Sequence, residues 1–302
     1  MIHTHLKFPN SPIAVICHDA GAANLIIGWL RNATELDLRA HMQGPALDLW
    51  MEAFPNSRLL SLGKALEGSA QLLSGSGWAS LLEHEGRLLA RELGIPVVAV
   101  VDHWVNYRER FVRAGLEVLP EEIWLADEYA YAEAANCFPN VTLRQLPNLY
   151  LQTQVDAINK LDLCRMPGEV ERVLYAMEPI RMPWVGEDTR NGEFQALDYF
   201  LGRLQSLGLS AYTQIRLRPH PSDTLGKYDS WIESRRTEFD VAMAPSEPLA
   251  QTVSWADWVV GCESYVLVIA IAAGKNTVST LPPWGNACRL PQKELVHLSL
   301  LP

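Results

Sequence analysis

The chain has 302 residues, a net charge of -10 and a pI near 5.3, and an acidic chain without a basic patch is not typical of nucleic-acid-binding proteins. Its five cysteines are scattered with no C-x-x-C pair, which argues against a disulfide framework and against a zinc site. There is no signal-peptide pattern, and no apolar run approaches the ~18 residues of a membrane span, so we expect a soluble cytoplasmic protein.

Short apolar runs alternate with helical patterns in the first half of the chain, which is typical of βα units in a parallel sheet. The continuous apolar run from Pro96 to Val101 favours a central strand that is covered on both faces. The pattern predicts strands at 13–17, 38–42, 58–61, 71–74, 96–101, 123–126 and 141–145, with helices at 24–30, 46–53 and 80–93.

The second half repeats this alternation without repeating the sequence. It predicts strands at 173–176, 214–217, 239–242, 258–261 and 277–280, with helices at 193–207, 231–236, 249–255 and 265–273. We therefore expect an α/β protein with two Rossmann-like doubly wound domains in the GT-B arrangement: an N-terminal acceptor-side domain (1–150), a connector (151–170) and a C-terminal nucleotide-sugar-binding domain (171–302). Ligands of such sheets bind beyond the carboxyl ends of the strands, which here predicts an inter-domain cleft.

The segment Arg218-Pro219-His220-Pro221 follows a predicted strand and is a candidate phosphate site, together with Ser222. Its prolines fix φ and remove backbone donors, which favours a stiff corner. Arg218 can form paired hydrogen bonds with phosphate oxygens, and His220 can donate another, which is stronger when the ring is protonated. The alternative is an ordinary turn with a capping Asp223 and an incidental histidine.

The segment from Gly261 to Tyr265 joins a predicted strand to an apolar helix and is a second candidate for the same phosphate site. A helix N-terminus offers unpaired N–H groups and a partial positive charge. Ser264 adds a hydroxyl donor, Glu263 can accept hydrogen bonds from ribose hydroxyls, and we include Tyr265 in the set. Ser264 is also a good N-cap residue, and capping is compatible with binding.

An ionisable pair, Asp102 and His103, follows the predicted central strand of the first domain, which is a usual place for a general base. Asp102 can take a proton from an acceptor hydroxyl, and His103 can orient it or act as the base itself. Alternatively, Asp102 caps a loop. We assign Asn106 and Arg110, which follow this pair, to the acceptor side.

Two further loops contain small residues that allow a ligand to approach the backbone closely. The first runs from His18 to Asn24 and lacks G-x-G-x-x-G, so a dinucleotide is not expected; its Asp19 is another candidate base or merely an N-cap, and Asn24 is placed on the acceptor side. The second, 74–78, can line the acceptor side through Ser76 and Trp78 together with Glu83. Its glycines can equally serve only a turn, with Glu83 a solvated helix residue.

In chain order, these motifs resemble bacterial GT-B glycosyltransferases, in particular the HP-motif sialyltransferases and other transferases of nonulosonic acids. The resemblance implies a CMP-activated sugar whose nucleotide phosphate contacts His220-Pro221 and Ser264. It implies a general base at Asp102, which matches the first Asp of the family's D-(D/E)-G motif. The expected activity is inverting transfer of a sugar onto a glycan or protein hydroxyl in bacterial surface-glycan synthesis. No acidic D-x-D pair is present, so we expect neither a metal nor another cofactor.

Three other functions fit the same architecture. A sugar-nucleotide 2-epimerase or hydrolase would turn over its substrate without an acceptor. A CDP-glycerol-type glycerophosphotransferase would need a membrane-facing basic patch. A non-catalytic nucleotide-sugar-binding protein would keep the phosphate site alone. A homo-oligomer is compatible with each of these.

Overall fold

The computed structural model describes residues 11–33, 35–78, 80–161, 169–184 and 188–302, and the structural statements below refer to these. They divide into two compact units, with the boundary between Tyr150 and Leu151. We call them unit 1 (up to Tyr150) and unit 2 (from Leu151). Part of the expected connector, 162–168, lies outside the described residues. None of the described helices combines the length and the apolar character that crossing a bilayer requires.

Unit 1 contains one parallel sheet, its helices and a small hairpin. Its strands are β1 (Ile13–Cys17), β2 (Leu38–Met42), β3 (Gln71–Ser74), β4 (Val97–Val101), β5 (Val112–Arg113), β6 (Leu116–Glu117), β7 (Glu122–Leu125) and β8 (Thr142–Gln145). Its helices are α1 (Ala20–Leu30), α2 (Gly44–Ala53), α3 (Leu62–Leu66), α4 (Leu82–Glu92) and α5 (Glu128–Cys137), and α6 (Leu149–Leu161) spans the boundary.

The sheet of unit 1 has the order β2-β1-β3-β4-β7-β8, and all its neighbouring strands are parallel. Residues 58–61, expected to form a strand, contribute only an isolated parallel bridge between Leu59 and Ala40. Successive strands are added to one side of β1 at β2 and to the other side from β3 onwards, so the topological switch point lies between β1 and β3. The register pairs Ile16 with Ser74 and Ser74 with Ala99, which aligns the carboxyl ends of β1, β3 and β4.

Helices cover both faces of this sheet. Val15 of β1 packs in one apolar cluster with α1 and α2, whereas Ile16 packs in another with α4. All five residues of β4 are buried, which confirms the expected central strand. Sequence patterns missed α5, because its buried face consists only of Ala130 and Ala134 and gives almost no apolar periodicity.

Unit 2 repeats the architecture. Its strands are β9 (Arg172–Ala176), β10 (Gln214–Arg218), β11 (Val241–Met243), β12 (Trp258–Gly261), β13 (Asn276–Ser279) and β14 (Val296–His297). Its helices are α7 (Gly192–Leu201), α8 (Asp229–Arg235), α9 (Leu249–Trp255) and α10 (Tyr265–Ala272). The helix expected at 193–207 ends at Leu201, and a separate 3₁₀ turn follows at Leu204–Leu207.

The sheet of unit 2 is also parallel, with the order β11-β10-β9-β12-β13-β14. This is the strand order of dinucleotide-binding Rossmann domains, and its switch point lies between β9 and β12. An apolar cluster around Tyr175 of β9, Phe200 of α7 and Leu217 of β10 fills one face. The loops that follow β9, β10 and β12 therefore meet at one edge of the sheet, beside the switch point.

Candidate functional site

In unit 1, His18 and Asp19 form a hydrogen-bonded pair at the carboxyl end of β1. Asp19 occupies the N-cap position of α1, but its side chain accepts no hydrogen bond from the helix. Its Oδ1 lies instead 2.7 Å from Nδ1 of His18. Because a carboxylate only accepts, Nδ1 carries the proton and Nε2 of the neutral ring keeps its lone pair. Sequence reasoning considered Asp19 alone, whereas the geometry makes His18 the candidate base and Asp19 the group that orients it.

Glycines leave room for both partners of this pair. A Cβ on Gly44, at the start of α2, would lie 2.5 Å from Nε2 of His18, and its φ of +53° also favours glycine. A Cβ on Gly77, in the loop after β3, would lie 1.9 Å from Oδ2 of Asp19. The loops after β1 and β3 therefore pack against each other at the switch point.

Glu83, in the first turn of α4, is hydrogen-bonded to the backbone of His18. It is wholly buried, and its Oε1 accepts the backbone N–H of His18 at 2.7 Å. Burial, and to a smaller extent the charge of Asp19, raise the pKa of this carboxyl. The alternative that Glu83 is a solvated helix residue is therefore wrong. Glu83 is buried, and its carboxylate holds the backbone of His18 in place through this hydrogen bond.

Asp102 follows β4 and is paired with Arg110. Nη1 of Arg110 donates to Oδ1 of Asp102 at 2.8 Å, and the two side chains are only 8% and 18% exposed. The other carboxylate oxygen faces Gly21 of α1, where a Cβ would lie 1.7 Å from it. The structure thus brings Asp102, Arg110 and the start of α1 together, and Arg110 fixes the orientation of the carboxylate.

Much of the loop after β3 is buried and hydrogen-bonded to other protein groups. Ser76 is wholly buried and donates to the carbonyl of Val100 at 2.7 Å. Arg87, also buried, donates to the carbonyl of Gly75, and burial lowers its pKa to about 10. Trp78, by contrast, is 49% exposed and lies over the guanidinium of Arg110 at 5.6 Å.

Three other residues predicted for unit 1 lie in the loop after β4 or within α1. Nδ1 of His103 accepts the backbone N–H of Trp104 at 3.0 Å. Asn106 adopts a positive φ of 61° in the turn that follows. Asn24 is partly buried in the second turn of α1. Their assignment to the base or to the acceptor side stays a prediction.

In unit 2, the loop after β10 holds His220 in one tautomer. Nδ1 of His220 accepts the backbone N–H of Ser222 at 3.1 Å and lies 2.8 Å from its hydroxyl. That hydroxyl oxygen accepts from Nη2 of Arg181 at 2.8 Å, so its own proton points to the histidine. Nε2 therefore carries the proton of the neutral ring. Burial, and then the charges of Arg181 and Lys227, lower the pKa of His220 against the opposing charge of Asp223.

Asp223 anchors this loop. Its carboxylate accepts from the backbone N–H of His220 at 3.0 Å, from Lys227 at 2.6 Å and from the hydroxyl of Tyr228 at 2.8 Å. Although burial opposes them, these hydrogen bonds hold the pKa of Asp223 below its ordinary value. The capping Asp223 of the alternative interpretation is thus present, and its carboxylate fixes the backbone of His220. Pro221 is exposed in the same loop.

Arg218, the last residue of β10, is directed to protein groups. Its Nη1 donates to the carbonyl of Glu247 at 2.9 Å and to the hydroxyl of Thr252 at 3.2 Å. Burial lowers its pKa. A direct role of Arg218 on phosphate would require these bonds to be shared with the ligand.

The loop between β12 and α10 combines a cap with an ion pair. Ser264 is the N-cap residue of α10 and accepts the N–H of Val266 at 3.3 Å. The carboxylate of Glu263 accepts from Nε and from the backbone N–H of Arg289, both at 3.1 Å. Glu263 is therefore engaged by Arg289, and its expected bond to ribose stays a prediction, as does the role of Tyr265, the first residue of α10.

Sequence reasoning missed the loop after β9, which contacts both halves of the predicted phosphate site. Oε2 of Glu178 accepts the backbone N–H of Glu263 at 2.6 Å, while Arg181 donates to the carbonyl and hydroxyl oxygens of Ser222. Burial, with the nearby charge of Glu263, raises the pKa of Glu178 to about 7. The same strand-end rule that selected the other loops would have found these two residues, since they follow the first strand of unit 2.

The described part of the chain contains no group of three or more His, Cys, Asp or Glu side chains placed to hold a metal ion.

Comparison with known proteins identifies the fold. No family profile and no curated protein matches the chain. A UDP-GlcNAc 2-epimerase from Methanocaldococcus jannaschii, in complex with UDP-GlcNAc and UDP, is similar with a TM-score of 0.61 at 9% identity, covering 94% of this chain and 88% of that one. The UDP-GlcNAc 2-epimerase of Neisseria meningitidis, bound to UDP-GlcNAc, gives 0.56 at 9% identity, covering 88% and 81%. MurG of Acinetobacter baumannii gives 0.53 at 12%, covering 96% and 87%. The likeness confirms the expected fold class, two Rossmann-like parallel-sheet domains as in GT-B proteins.

Proposed function

We propose that the chain is an inverting, metal-independent glycosyltransferase that uses a nucleotide-activated sugar. The observation that supports this most strongly is the convergence of three loops beside the switch point of unit 2. They present a histidine of defined tautomer, an arginine and the N-terminus of α10 at one edge of the sheet. Such a set of hydrogen-bond donors suits the phosphate of a nucleotide.

In this proposal, unit 2 stabilises the leaving nucleotide. Nε2–H of His220 donates to a phosphate oxygen, and Arg181 and the partial positive charge of α10 balance the charge that develops as the bond to the sugar breaks. Stabilisation of that charge by fixed donors is usually the largest catalytic contribution. Ser222 and Asp223 act through His220, by fixing its ring and its backbone.

Unit 1 supplies the base. His18, oriented by Asp19, takes the proton of an acceptor hydroxyl, whose oxygen then attacks the anomeric carbon and displaces the nucleotide with inversion. Asp102 and His103 are the other candidate bases. We favour His18, because an imidazole whose second nitrogen is bound by a carboxylate is a common arrangement for a general base. Trp78, exposed beside Arg110, is a candidate acceptor contact.

The base of the nucleotide is the finer part of the proposal. Two of the similar structures contain UDP-GlcNAc, which makes UDP-sugars the first donors to test. The motif resemblance adds CMP-activated nonulosonic acids as the second class.

The test is a panel of UDP-, CMP- and GDP-sugars with glycan and peptide acceptors, in which nucleotide release and product mass are measured. We expect nucleotide release from one donor class. The rate of release should fall about 10²–10⁴-fold in His18→Gln, as for the loss of other general bases. It should be unchanged in His297→Gln, on the edge strand β14. A well-folded protein that consumes no donor would contradict the proposal.

A sugar-nucleotide 2-epimerase is the second candidate. It is favoured by the number of ionisable groups at the strand ends of unit 1, where Asp19, Glu83 and Asp102 lie at or beside the start of α1. Such groups suit removal and return of a proton at a sugar carbon. Turnover of UDP-GlcNAc in D₂O without an acceptor, with deuterium in the recovered sugar, would support the epimerase, whereas acceptor-dependent release without deuterium supports the transferase.

A further inference from the structure

Glu178 lies between the two loops of the proposed phosphate site. It follows Met177, whose backbone N–H donates to the carbonyl of Arg218 at the end of β10. Its own carboxylate reaches Glu263 on the far side of the switch point, and Arg181 of the same loop reaches Ser222. The loop after β9 therefore contacts both the loop that carries His220 and the loop that precedes α10.

The carboxylate of Glu178 already occupies an anion position at this edge. It accepts at 2.6 Å the backbone N–H of Glu263, which immediately precedes the N-cap residue Ser264. Amides at the start of a helix are the donors that phosphate oxygens use. A negative charge on Glu178 therefore competes with a bound phosphate, whereas a neutral carboxyl group can donate its O–H to it.

The titratable and charged groups that face Glu178 are Glu263, Arg289, Tyr175, Cys262 and Cys288. The carboxylate of Glu263 is neutralised by its ion pair with Arg289. Tyr175 and Cys262 are buried, and burial raises the pKa of both well above their ordinary values, so they stay neutral. Burial and Glu263 raise the pKa of Glu178 to about 7, against the opposing effects of its bond from Glu263 N–H and of Arg289.

We propose that Glu178 is a further ligand-contacting residue of the unit 2 site, which binds the diphosphate of a nucleotide through its protonated carboxyl group, so that binding takes up a proton from solvent. No covalent bond changes in this step: the carboxyl O–H donates a hydrogen bond to a phosphate oxygen. The inference rests on the proposed function, since it assumes that unit 2 holds a nucleotide phosphate.

The test is calorimetric titration of the full chain with UDP, and separately with inorganic pyrophosphate, at pH 6 and pH 8 in buffers of different ionisation enthalpy. If only the neutral carboxyl binds, affinity follows its protonated fraction and falls about tenfold between these pH values. The slope of the observed binding enthalpy against the ionisation enthalpy of the buffer gives the number of protons that the wild-type protein takes up. Glu178→Gln keeps a neutral hydrogen-bonding side chain. We expect this variant to show neither the fall in affinity between pH 6 and pH 8 nor the proton uptake, apart from the contributions of the ligand's own titration. Glu238→Gln, an exposed carboxyl in unit 2, is the matched control and keeps both.

Each outcome decides a different claim. Proton uptake by the wild type that disappears in Glu178→Gln supports the proposal. Binding of UDP with no proton uptake beyond that of the ligand, or with the same uptake in Glu178→Gln, overturns it and leaves the proposed function standing. Absence of binding by both UDP and pyrophosphate overturns the proposal for Glu178, and absence of binding by CMP and GDP as well overturns the proposed function.

Discussion

Gly21→Ala tests the packing of the unit 1 site. Alanine in place of glycine near the start of a helix would by itself add up to about 1 kcal/mol of stability. Here the new Cβ would lie 1.7 Å from Oδ2 of Asp102, so the carboxylate has to rotate away from the 2.8 Å bond that Arg110 donates. Loss of a nearly buried charge pair costs about 3 kcal/mol. We therefore expect a net loss of about 2 kcal/mol.

The measurement is thermal unfolding followed by circular dichroism. For a unit of this size, 2 kcal/mol lowers Tm by about 4–8 °C. Gly63→Ala is the matched control, because this glycine also lies in a helix and a Cβ there would meet no atom within 4 Å. We expect its Tm to be unchanged or slightly raised. A Tm of Gly21→Ala equal to that of Gly63→Ala would refute the contact between α1 and Asp102, and with it the geometry of this site.

Two further predictions concern unit 2. Because the pKa of Glu178 rises on folding from its ordinary 4.5 to about 7, the folded state retains the proton longer, so stability falls by up to about 3 kcal/mol as pH rises from 4.5 to 7. Urea unfolding across this range measures how the free energy of unfolding changes with pH. We expect this pH dependence to be weaker in Glu178→Gln, and an equal dependence in the variant contradicts the burial of this carboxyl. Arg181→Gln is expected to raise the pKa of His220 and Asp223→Asn to lower it, since Arg181 lowers and Asp223 raises that value. Histidine NMR titration checks both, and shifts in the same direction would be inconsistent with the loop geometry.

The fold could be predicted from the sequence where apolar runs were long and buried on both faces. The run ending at Val101 is such a case, and so are the strands around Val15 and Val260. Prediction of helices and strands failed where the buried residues are small or where an element makes few contacts. Helix α5 buries only alanines, and Leu59 makes a single bridge where a full strand was expected.

The candidate site was predictable only in part, because motif reasoning selects residues and not their partners. It selected Asp19 and His220 from their positions after strands. It could not show that Asp19 binds the ring of His18, since this depends on the side chain turning away from the helix it precedes. Nor did it find Glu178, which follows a strand as the selected residues do but belongs to no motif. Its contact with Glu263, 85 residues further along the chain, follows only from the structure.

In the proposed function, unit 2 holds a nucleotide phosphate through His220, Arg181 and the start of α10. Calorimetric titration with UDP, CMP and GDP of the wild type, His220→Gln and Arg181→Gln tests it most directly, with His297→Gln as control. Hydrogen bonds to a charged phosphate are worth about 1.5–3 kcal/mol, so we predict that each site variant binds the preferred nucleotide at least about tenfold more weakly and that the control is unchanged. Equal affinity in His220→Gln and the wild type, or binding of none of the three nucleotides by the folded protein, would contradict a nucleotide-phosphate site in unit 2.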